Sequence, residues 1–340
     1  MYLIDEYVDI KNHCTFKVGG QFRYYTEIST TDDLREVYKF AMENNLPVHI
    51  LGGGSNMVFP DGIFNALVVH ILVPGFEIIN DTGTYTDIKI GAGENWDAVV
   101  ERTVAMNLSG IEALSAIPGT VGATPVQNVG AYGQEIKDTL QGVEVFDTTR
   151  QKFKILNNTE CKFAYRDSIF KHEGKGKYVI TSVTLRMLKD IPIIPNYPAV
   201  KKYFEEKGIT NPSLQQIREA IIFIRGNKLP DPKKIANVGS FFKNPIVPNL
   251  IAENLKKQYP HLITFPVDND RAKIPAGWLM ETAGLKGKSF GAISTYENNA
   301  LVLVNNGTAT RADVIKTRDE IQKTVFELFG INLETEPEFV

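Results

Sequence analysis

Three short stretches of this 340-residue sequence carry side chains that could act on a small anionic molecule. In the aromatic stretch 163–172, Arg166 precedes Asp167, and a planar guanidinium matches a carboxylate, although the two residues could also form an ordinary surface ion pair. Ser240 lies in the stretch GSFFKNP without a convincing histidine or cysteine partner, so a serine-hydrolase triad has little support unless partners distant in sequence supply it. Glu338 belongs to the acidic stretch LETEPEFV, and composition alone favours a solvated side chain there over a catalytic one. The role of Ser240 therefore stays open: it could be a turn residue, a nucleophile or something else.

Two glycine-rich stretches could bring main-chain amides close to an anion. The first is GGGSN at residues 52–56, whose N–H groups could form a nest for phosphate oxygens, or simply make a tight turn. It lacks the G-x-G-x-x-G spacing of a Rossmann fingerprint. The second is residues 117–135, IPGTVGATPVQNVGAYGQE, where glycine and proline oppose both helix and strand. Such a run could wrap a planar cofactor, or it could be a structural loop.

Composition excludes several classes of function. A net charge of −3 gives no electrostatic footprint for nucleic acid. The sequence has no run of eighteen apolar residues and no N-terminal signal pattern, which indicates a cytoplasmic protein without membrane contact. Only Cys14 and Cys161 are present, and the five histidines lack zinc-binding spacing, so we expect neither a disulfide framework nor a metal centre.

The elements that must position these stretches can be predicted in outline. Residues 22–28 and 46–51 predict strands on either side of a helix, and the first glycine loop follows the second strand. A further helix is predicted from Trp96 to Met106, with an apolar face. The proline-rich segment 190–212 predicts a loop with a short helix inside it.

The C-terminal part of the sequence contains clear helix boundaries. Thr310 and Asp313 form a capping box before the stretch RADVIKTRDEIQKTVFELF, and Gly330 ends it. Val314, Ile321, Val325 and Leu328 recur near one face of this predicted helix. Residues 331–340 are expected to form a closing strand.

These motifs together resemble one family closely. GGGSN, GAGENW, residues 117–135, YRDSIFKH, KLPDPK, GSFFKNP, AGWLMETAGLKG and the final EPE occur in the order found in UDP-N-acetylenolpyruvoylglucosamine reductases. The resemblance covers nearly the whole chain, and YRDSIFKH and GSFFKNP discriminate far better than the glycine loop. The proline-bounded segment with Tyr197 is similar to the extra tyrosine loop of the family's type I branch.

The resemblance implies an α+β protein with a vanillyl-alcohol-oxidase-like, two-part FAD-binding region and a separate α/β substrate-binding domain. FAD-binding subdomain 1 would comprise residues 1–73 joined by the C-terminal strand 331–340. Subdomain 2 would comprise residues 74–228, including the tyrosine loop 190–212. The substrate-binding domain would comprise residues 229–330.

The resemblance also implies site residues and partners. The implied catalytic residues are Arg166, Ser240 and Glu338, and the residues implied to bind the UDP portion of the substrate are Tyr197, Lys228 and Asn244. The residues implied to bind FAD non-covalently are Gly52, Gly53, Gly54, Ser55, Asn56, Ile117, Pro118, Gly119, Ala123, Thr124, Asn128, Gly130, Ala131 and Tyr132. The substrate would be UDP-N-acetylglucosamine enolpyruvate, NADPH would be the co-substrate, and the protein is expected to be a monomer.

The implied reaction reduces the enolpyruvyl group to the lactyl ether of UDP-N-acetylmuramate, with hydride from flavin N5 to C3 and a proton from Ser240 to C2. Two alternatives stay open. One is an oxygen-using flavin oxidase of the same fold class, although GGGSN offers no histidine for covalent FAD attachment. The other is a non-catalytic nucleotide-sugar binding protein, which would be colourless when purified.

Overall fold

The computed structural model describes residues 3–189 and 191–340, and it separates into two compact units. The first unit comprises Met1–Val8, Phe22–Gly54 and Asn65–Gly226; the second comprises Asp9–Gln21, Ser55–Phe64 and Asn227–Val340. Residues 1 and 2 of the predicted first domain and residue 190 of the predicted tyrosine loop lie outside the described residues. The three-part division made from the sequence stays a prediction.

Runs of strands separate most of the helices along the chain. The helices are α1 (Asp33–Glu43), α2 (Trp96–Ala105), α3 (Pro198–Glu206), α4 (Leu214–Lys228), α5 (Asn249–Gln258), α6 (Ala276–Thr282) and α7 (Arg311–Phe329). The first strands are β1 (Asp5–Asp9), β2 (Gln21–Ile28), β3 (Val48–Leu51), β4 (Met57–Val58), β5 (Ile63–Ile71), β6 (Phe76–Asp81), β7 (Tyr85–Gly91), β8 (Leu108–Ser109), β9 (Gly130–Ala131) and β10 (Gln134–Glu135). The later strands are β11 (Leu140–Asp147), β12 (Lys152–Asn157), β13 (Tyr178–Lys189), β14 (Asn237–Ser240), β15 (Ile246–Pro248), β16 (Phe265–Pro266), β17 (Arg271–Lys273), β18 (Ile293–Tyr296), β19 (Asn299–Asn305) and β20 (Glu338–Phe339).

The first unit is built on two sheets that share one apolar core. A four-stranded sheet has the order β1-β2-β5-β3, and β3 runs parallel to β5. A six-stranded sheet has the order β12-β11-β13-β7-β6, with β8 added beside β13. Its pairs are antiparallel. Residues from α1, α2 and both sheets pack together in the core, as the apolar spacing of these segments predicts.

The second unit has smaller sheets and its own core. Three strands pair in the order β14-β19-β18 and three in the order β15-β17-β16, while β20 lies parallel to β4. Phe241 and Phe242 are fully buried in this core, which also contains residues of α6 and α7. Mixed helices and mainly antiparallel sheets in the two units confirm the predicted α+β class. None of the helices described here is long and apolar enough to cross a membrane.

The predicted boundaries of α7 are confirmed. The Thr310 and Asp313 side chains exchange hydrogen bonds with each other's backbone N–H, and Gly330 ends the helix in the left-handed conformation at φ 66°. Two predictions about this region are wrong. Leu328 is 57% exposed, whereas its neighbour Phe329 in the same last turn packs against the core. Of the predicted closing strand, only Glu338 and Phe339 form one.

Candidate functional site

Two predicted cofactor-binding segments meet in the first unit. A Cβ atom added to Gly53 would lie only 2.7 Å from Cα of Gly119, and one added to Gly52 would lie 2.8 Å from Oγ1 of Thr120. Gly54 has φ 60°, a conformation that glycine adopts without strain. The two backbones therefore approach as closely as residues without side chains allow. Closely apposed main chain of this kind suits the pyrophosphate of a dinucleotide, so these residues fit FAD.

The second of these segments is held by the stretch that leads into α2. Val121 N–H donates to Glu94 carbonyl at 2.9 Å, and Trp96 N–H donates to Gly119 carbonyl at 3.1 Å. Asn95 caps α2, since its side chain accepts the N–H of Ala98 at 3.0 Å. The motif GAGENW thus has a local explanation: it starts a helix and aligns residues 119–121 beside it. Ile117 and Pro118 lie immediately before this aligned stretch.

Arg166 lies in a tight turn beside the same glycine-rich run. Its φ of 54° is left-handed, and one guanidinium nitrogen, Nη2, donates to the Gly130 carbonyl at 2.7 Å. Asp167 instead has its carboxylate 2.8 Å from Nε2 of His172. The predicted catalytic arginine and the predicted cofactor-binding Gly130 are therefore in direct contact.

Some predicted cofactor-binding residues have side chains that hold the loop itself. The amide of buried Asn128 donates to the Glu135 carboxylate at 2.9 Å and to the Ala164 carbonyl at 3.0 Å. The hydroxyl of buried Thr124 donates to the Val121 carbonyl at 2.8 Å. Their side chains stabilise the run and the turn next to Arg166. Ala123 and Ala131 contribute small side chains to the same run.

The predicted tyrosine loop brings Tyr197 against Tyr132 in the first unit. The two rings meet edge to face with centroids 5.2 Å apart. Tyr197 immediately precedes α3, and Pro198 is the first residue of that helix. Burial raises the pKa of both phenols, and the charge of Arg225 partly offsets the rise at Tyr132. Both hydroxyls are therefore neutral donors at neutral pH.

Sequence reasoning missed α4 and its two arginines, Arg218 and Arg225, although it named the last residue of that helix, Lys228. Arg218, only 6% exposed, makes two hydrogen bonds to the Asp97 carboxylate, at 2.6 and 3.1 Å. Asp97 also accepts the N–H of Ala116 at 2.6 Å, and Arg225 Nε donates to the Ala116 carbonyl at 3.3 Å. Ala116, with φ 58°, directly precedes the glycine-rich run. The signal that could have revealed α4 is the capping box of Ser213 and Gln216, whose backbone and side-chain groups exchange hydrogen bonds.

In the second unit the chain places the segments of Ser240 and Glu338 side by side. Lys243 N–H donates to the Glu334 carbonyl and Glu336 N–H to the Phe241 carbonyl, both at 2.9 Å. Ser240 is partly exposed at the end of β14, and Glu338 is partly exposed at the start of β20. Residues 241–243, directly after Ser240, are thus aligned antiparallel to residues 334–336, which shortly precede Glu338, while β14 itself pairs with β19 and β20 with β4.

Asn56 of the predicted cofactor-binding loop lies beside the same C-terminal strand. Its carbonyl accepts the N–H of Glu338 at 3.0 Å, and its side-chain amide donates to the Glu336 carbonyl at 3.3 Å. Ser55 precedes it and is partly exposed. The second unit thus joins part of the predicted cofactor loop to the strand of the predicted catalytic glutamate.

Two predicted substrate-binding residues have different surroundings. Asn244 lies four residues after Ser240, and its Oδ1 accepts the N–H of Ala276 at 2.9 Å, which satisfies a backbone donor at the start of α6. Lys228 is exposed as the last residue of α4. Asn244 therefore has a structural role, and Lys228 presents its charge to solvent.

Comparisons with known proteins agree along the chain. Residues 22–150 match the family model described as an FAD binding domain, and residues 231–340 match the model of the UDP-N-acetylenolpyruvoylglucosamine reductase C-terminal domain. The UDP-N-acetylenolpyruvoylglucosamine reductase of Flavobacterium johnsoniae is 42% identical over 329 residues, covering 96% of each chain. That of Dechloromonas aromatica is 43% identical over 336 residues, covering 98% of each chain.

A solved structure supports the same fold. The crystal structure of UDP-N-acetylenolpyruvylglucosamine reductase from Thermus caldophilus superposes with a TM-score of 0.70 at 22% identity, covering 100% of this chain and 99% of that one. The implied fold is therefore confirmed. Identity of about 40% over nearly the whole chain, with the FAD-domain match, makes this protein a flavin-dependent oxidoreductase whose cofactor is FAD. The chain belongs to the UDP-N-acetylenolpyruvoylglucosamine reductase family of peptidoglycan precursor synthesis.

Proposed function

We propose that this protein catalyses the NADPH-dependent reduction of UDP-N-acetylglucosamine enolpyruvate to UDP-N-acetylmuramate. The observation that carries the proposal is the similarity to UDP-N-acetylenolpyruvoylglucosamine reductases over nearly the full length of the chain. When bound, FAD supplies hydride transfer from NADPH to C3 of the enolpyruvyl group. The residues of the chain then have to hold the substrate carboxylate, stabilise developing charge and deliver a proton to C2.

Arg166 is assigned to the substrate carboxylate. Addition of hydride at C3 moves negative charge onto C2 and the carboxylate, which produces an enolate-like species. A guanidinium already fixed by its bond to the Gly130 carbonyl can stabilise that charge without reorganising. Its fork geometry also suits a carboxylate better than a lysine ammonium would.

Ser240 is assigned as the proton donor to C2. A serine hydroxyl is a weak acid, so it can protonate only a strongly basic acceptor such as an enolate carbon. This role needs no adjacent histidine, because the hydroxyl gives a proton away instead of attacking as a nucleophile. Its place at the end of β14, directly before the buried Phe241, gives the residue a fixed backbone position.

Glu338 is assigned to orienting and polarising the same end of the substrate. Residues 241–243, directly after Ser240, bond residues 334–336, which shortly precede Glu338. This alignment supports the assignment, and so does the backbone bond of Glu338 to Asn56. Tyr197, Lys228 and Asn244 are assigned to the UDP portion. The glycine loop 52–56 and the run 117–132 are assigned to FAD.

The test separates the two half-reactions of Ser240→Ala by rapid-mixing absorbance of the flavin. We expect NADPH to reduce the flavin of the variant at a rate within about twofold of wild type. Reoxidation by the enolpyruvyl substrate should slow by about 10²–10⁴-fold, the range of general acid catalysis. Ser289→Ala is the matched control, since Ser289 is an exposed serine of the second unit. Equal losses in both half-reactions would remove the proton-donor assignment.

A further inference from the structure

Glu112, a residue outside the site described above, contacts the segment that carries Tyr197. It is fully buried in a short 3₁₀ helix, Glu112–Leu114. One carboxylate oxygen accepts the N–H of Gly110 at 2.6 Å, and the other accepts the N–H of Ile193 at 3.0 Å. A fully buried glutamate is rare unless its charge is paired or hydrogen-bonded, and here backbone donors satisfy it. The carboxylate is therefore used to hold main chain.

Ser109 adds a second attachment to the same segment. It is fully buried, and its hydroxyl donates to the Ile191 carbonyl at 2.5 Å. Ser109 is also fixed, because β8 pairs with the end of β13. Ser109 thus holds Ile191 through its carbonyl, and Glu112 holds Ile193 through its N–H.

The loop between these attachments and Tyr197 is stiff. Prolines occupy positions 192, 195 and 198, so φ is restricted at every third residue and three backbone donors are missing. Tyr197 follows Ile193 by four residues, and its N–H donates to the Pro195 carbonyl at 2.8 Å, which closes a tight turn just before α3. Because Pro195 and this turn restrict the chain over so short a length, the position of Ile193 determines where Tyr197 lies.

The attachment point is continuous with the predicted cofactor run. The side-chain carbonyl of Gln134, in β10, accepts the N–H of Ala113 at 2.9 Å, next to Glu112. Tyr132, two residues before Gln134, is the ring against which Tyr197 packs. The base of the loop, through Glu112 and its neighbour Ala113, and the ring of Tyr197 are therefore both attached to residues 132–134.

We propose that Glu112, assisted by Ser109, is a positioning residue for nucleotide binding: the two side chains fix the proline-rich segment so that Tyr197 can contact the UDP portion of the substrate. This inference rests on the proposed function, in which Tyr197 binds that portion. In this proposal Glu112 acts through the main chain of the loop and is assigned no contact with substrate or cofactor.

The holoenzyme with Glu112→Gln tests the inference. The amide oxygen of the glutamine can accept a hydrogen bond from one of the two N–H groups, while its NH₂ group faces the other. One charge-assisted hydrogen bond is therefore lost. We expect faster hydrogen exchange of the amides at 193–197 and about a tenfold higher KM for UDP-N-acetylglucosamine enolpyruvate. The rate of flavin reduction by NADPH should stay within about twofold. Glu144→Gln is the control, since the Glu144 carboxylate bonds Thr181 and Ser182 within the six-stranded sheet.

A double-mutant comparison separates this inference from the proposed function. In a Tyr197→Ala background, Glu112→Gln should raise the KM by less than about twofold, because the residue it positions is gone. Unchanged hydrogen exchange in Glu112→Gln, or an equal KM effect in both backgrounds, overturns the positioning role. A wild-type KM in Tyr197→Ala alone overturns the substrate-binding assignment of Tyr197 instead, whereas faster exchange in Glu112→Gln would still show the attachment. If Glu112→Gln does not fold, Ser109→Ala is measured in the same way, and faster exchange with a higher KM is expected.

Discussion

Replacing Gly53 with alanine tests whether the two glycine-rich backbones lie as close in solution as the structure has them. The new Cβ would lie 2.7 Å from Cα of Gly119, and its other near neighbours are backbone atoms of Gly119 and Thr120. Backbone cannot rotate away as a flexible side chain can. The glycine loop and the run beginning at residue 117 must therefore move apart.

The size of the effect follows from that distance. Carbon atoms in favourable contact lie about 3.5–4.0 Å apart, so the two backbones must separate by roughly 1 Å. Overpacking of this kind costs about 1–3 kcal/mol. If the whole cost falls on FAD binding, the Kd rises by about 5- to 150-fold, since about 1.4 kcal/mol corresponds to a factor of ten. If part of it falls on the apoprotein, the melting temperature drops accordingly.

Flavin fluorescence titration of apoprotein measures the FAD Kd, and thermal unfolding of the same preparation measures the Tm. Gly83→Ala is the matched control, because Gly83 is exposed in the turn between β6 and β7 with no atom within 4 Å of the added Cβ. It should bind FAD like wild type. A Gly53→Ala protein with both wild-type FAD affinity and wild-type apoprotein Tm would refute the reasoning.

Three further predictions concern other parts of the chain. Arg166→Ala should leave flavin reduction by NADPH within about twofold and slow reoxidation by the enolpyruvyl substrate about 10²–10³-fold in rapid mixing; a comparable loss in the first half-reaction would contradict the carboxylate-binding role. Burial alone would raise the pKa of Asp97, but the hydrogen bonds and charge of Arg218 outweigh burial and lower that pKa. The ionised Asp97 therefore stabilises the folded protein above the unfolded-state pKa near 4, and this contribution is lost as pH falls through the folded-state pKa. Urea unfolding from pH 6 to pH 3 should therefore show a smaller loss of stability in Asp97→Asn than in wild type, and parallel curves would exclude this carboxylate as a cause of acid sensitivity. Thr310→Ala removes the hydroxyl that accepts the Asp313 N–H, and it should lower the free energy of thermal unfolding by about 1 kcal/mol. Thr310→Ser should keep most of that stability. Equal stability of the two variants would show that the cap contributes nothing.

The sequence predicted best those features that depend on neighbouring residues alone. The start of α7 follows from Thr310 and Asp313, which bond each other within the first turn, and its end follows from Gly330, whose N–H bonds the Phe326 carbonyl within the last turn. The apolar face predicted for α2 is also buried, with Trp96 fully covered. The exposure of Leu328 could not be predicted in the same way, because periodicity does not reveal that Phe329 and not Leu328 contacts the core in the last turn.

Helix α4 was not predicted, because the prolines before it gave a stronger signal than the residues that start it. The prolines of residues 190–212 indicated a loop, and the capping box at Ser213, with Ile217, Ile221 and Ile224 at helical spacing after it, predicts the helix that follows. Those residues are buried in a small cluster together with Val200 and Phe204 of α3. Missing α4 meant missing the two arginines that it carries toward the cofactor run.

Some residues that hold the site in place belong to no motif. Asp97, which directly follows GAGENW, and Glu112 are single acidic residues, yet one accepts the N–H of Ala116 before the cofactor run and the other accepts the N–H of Ile193 before Tyr197. Each contact joins positions 19 or more residues apart, so no pattern within a short window could show it. Because such carboxylates bond main chain and not the reacting groups, their loss should weaken ligand binding and local order more than it slows proton delivery by Ser240. Kinetics that separate binding from chemistry can therefore distinguish residues that support the site from residues that act in it.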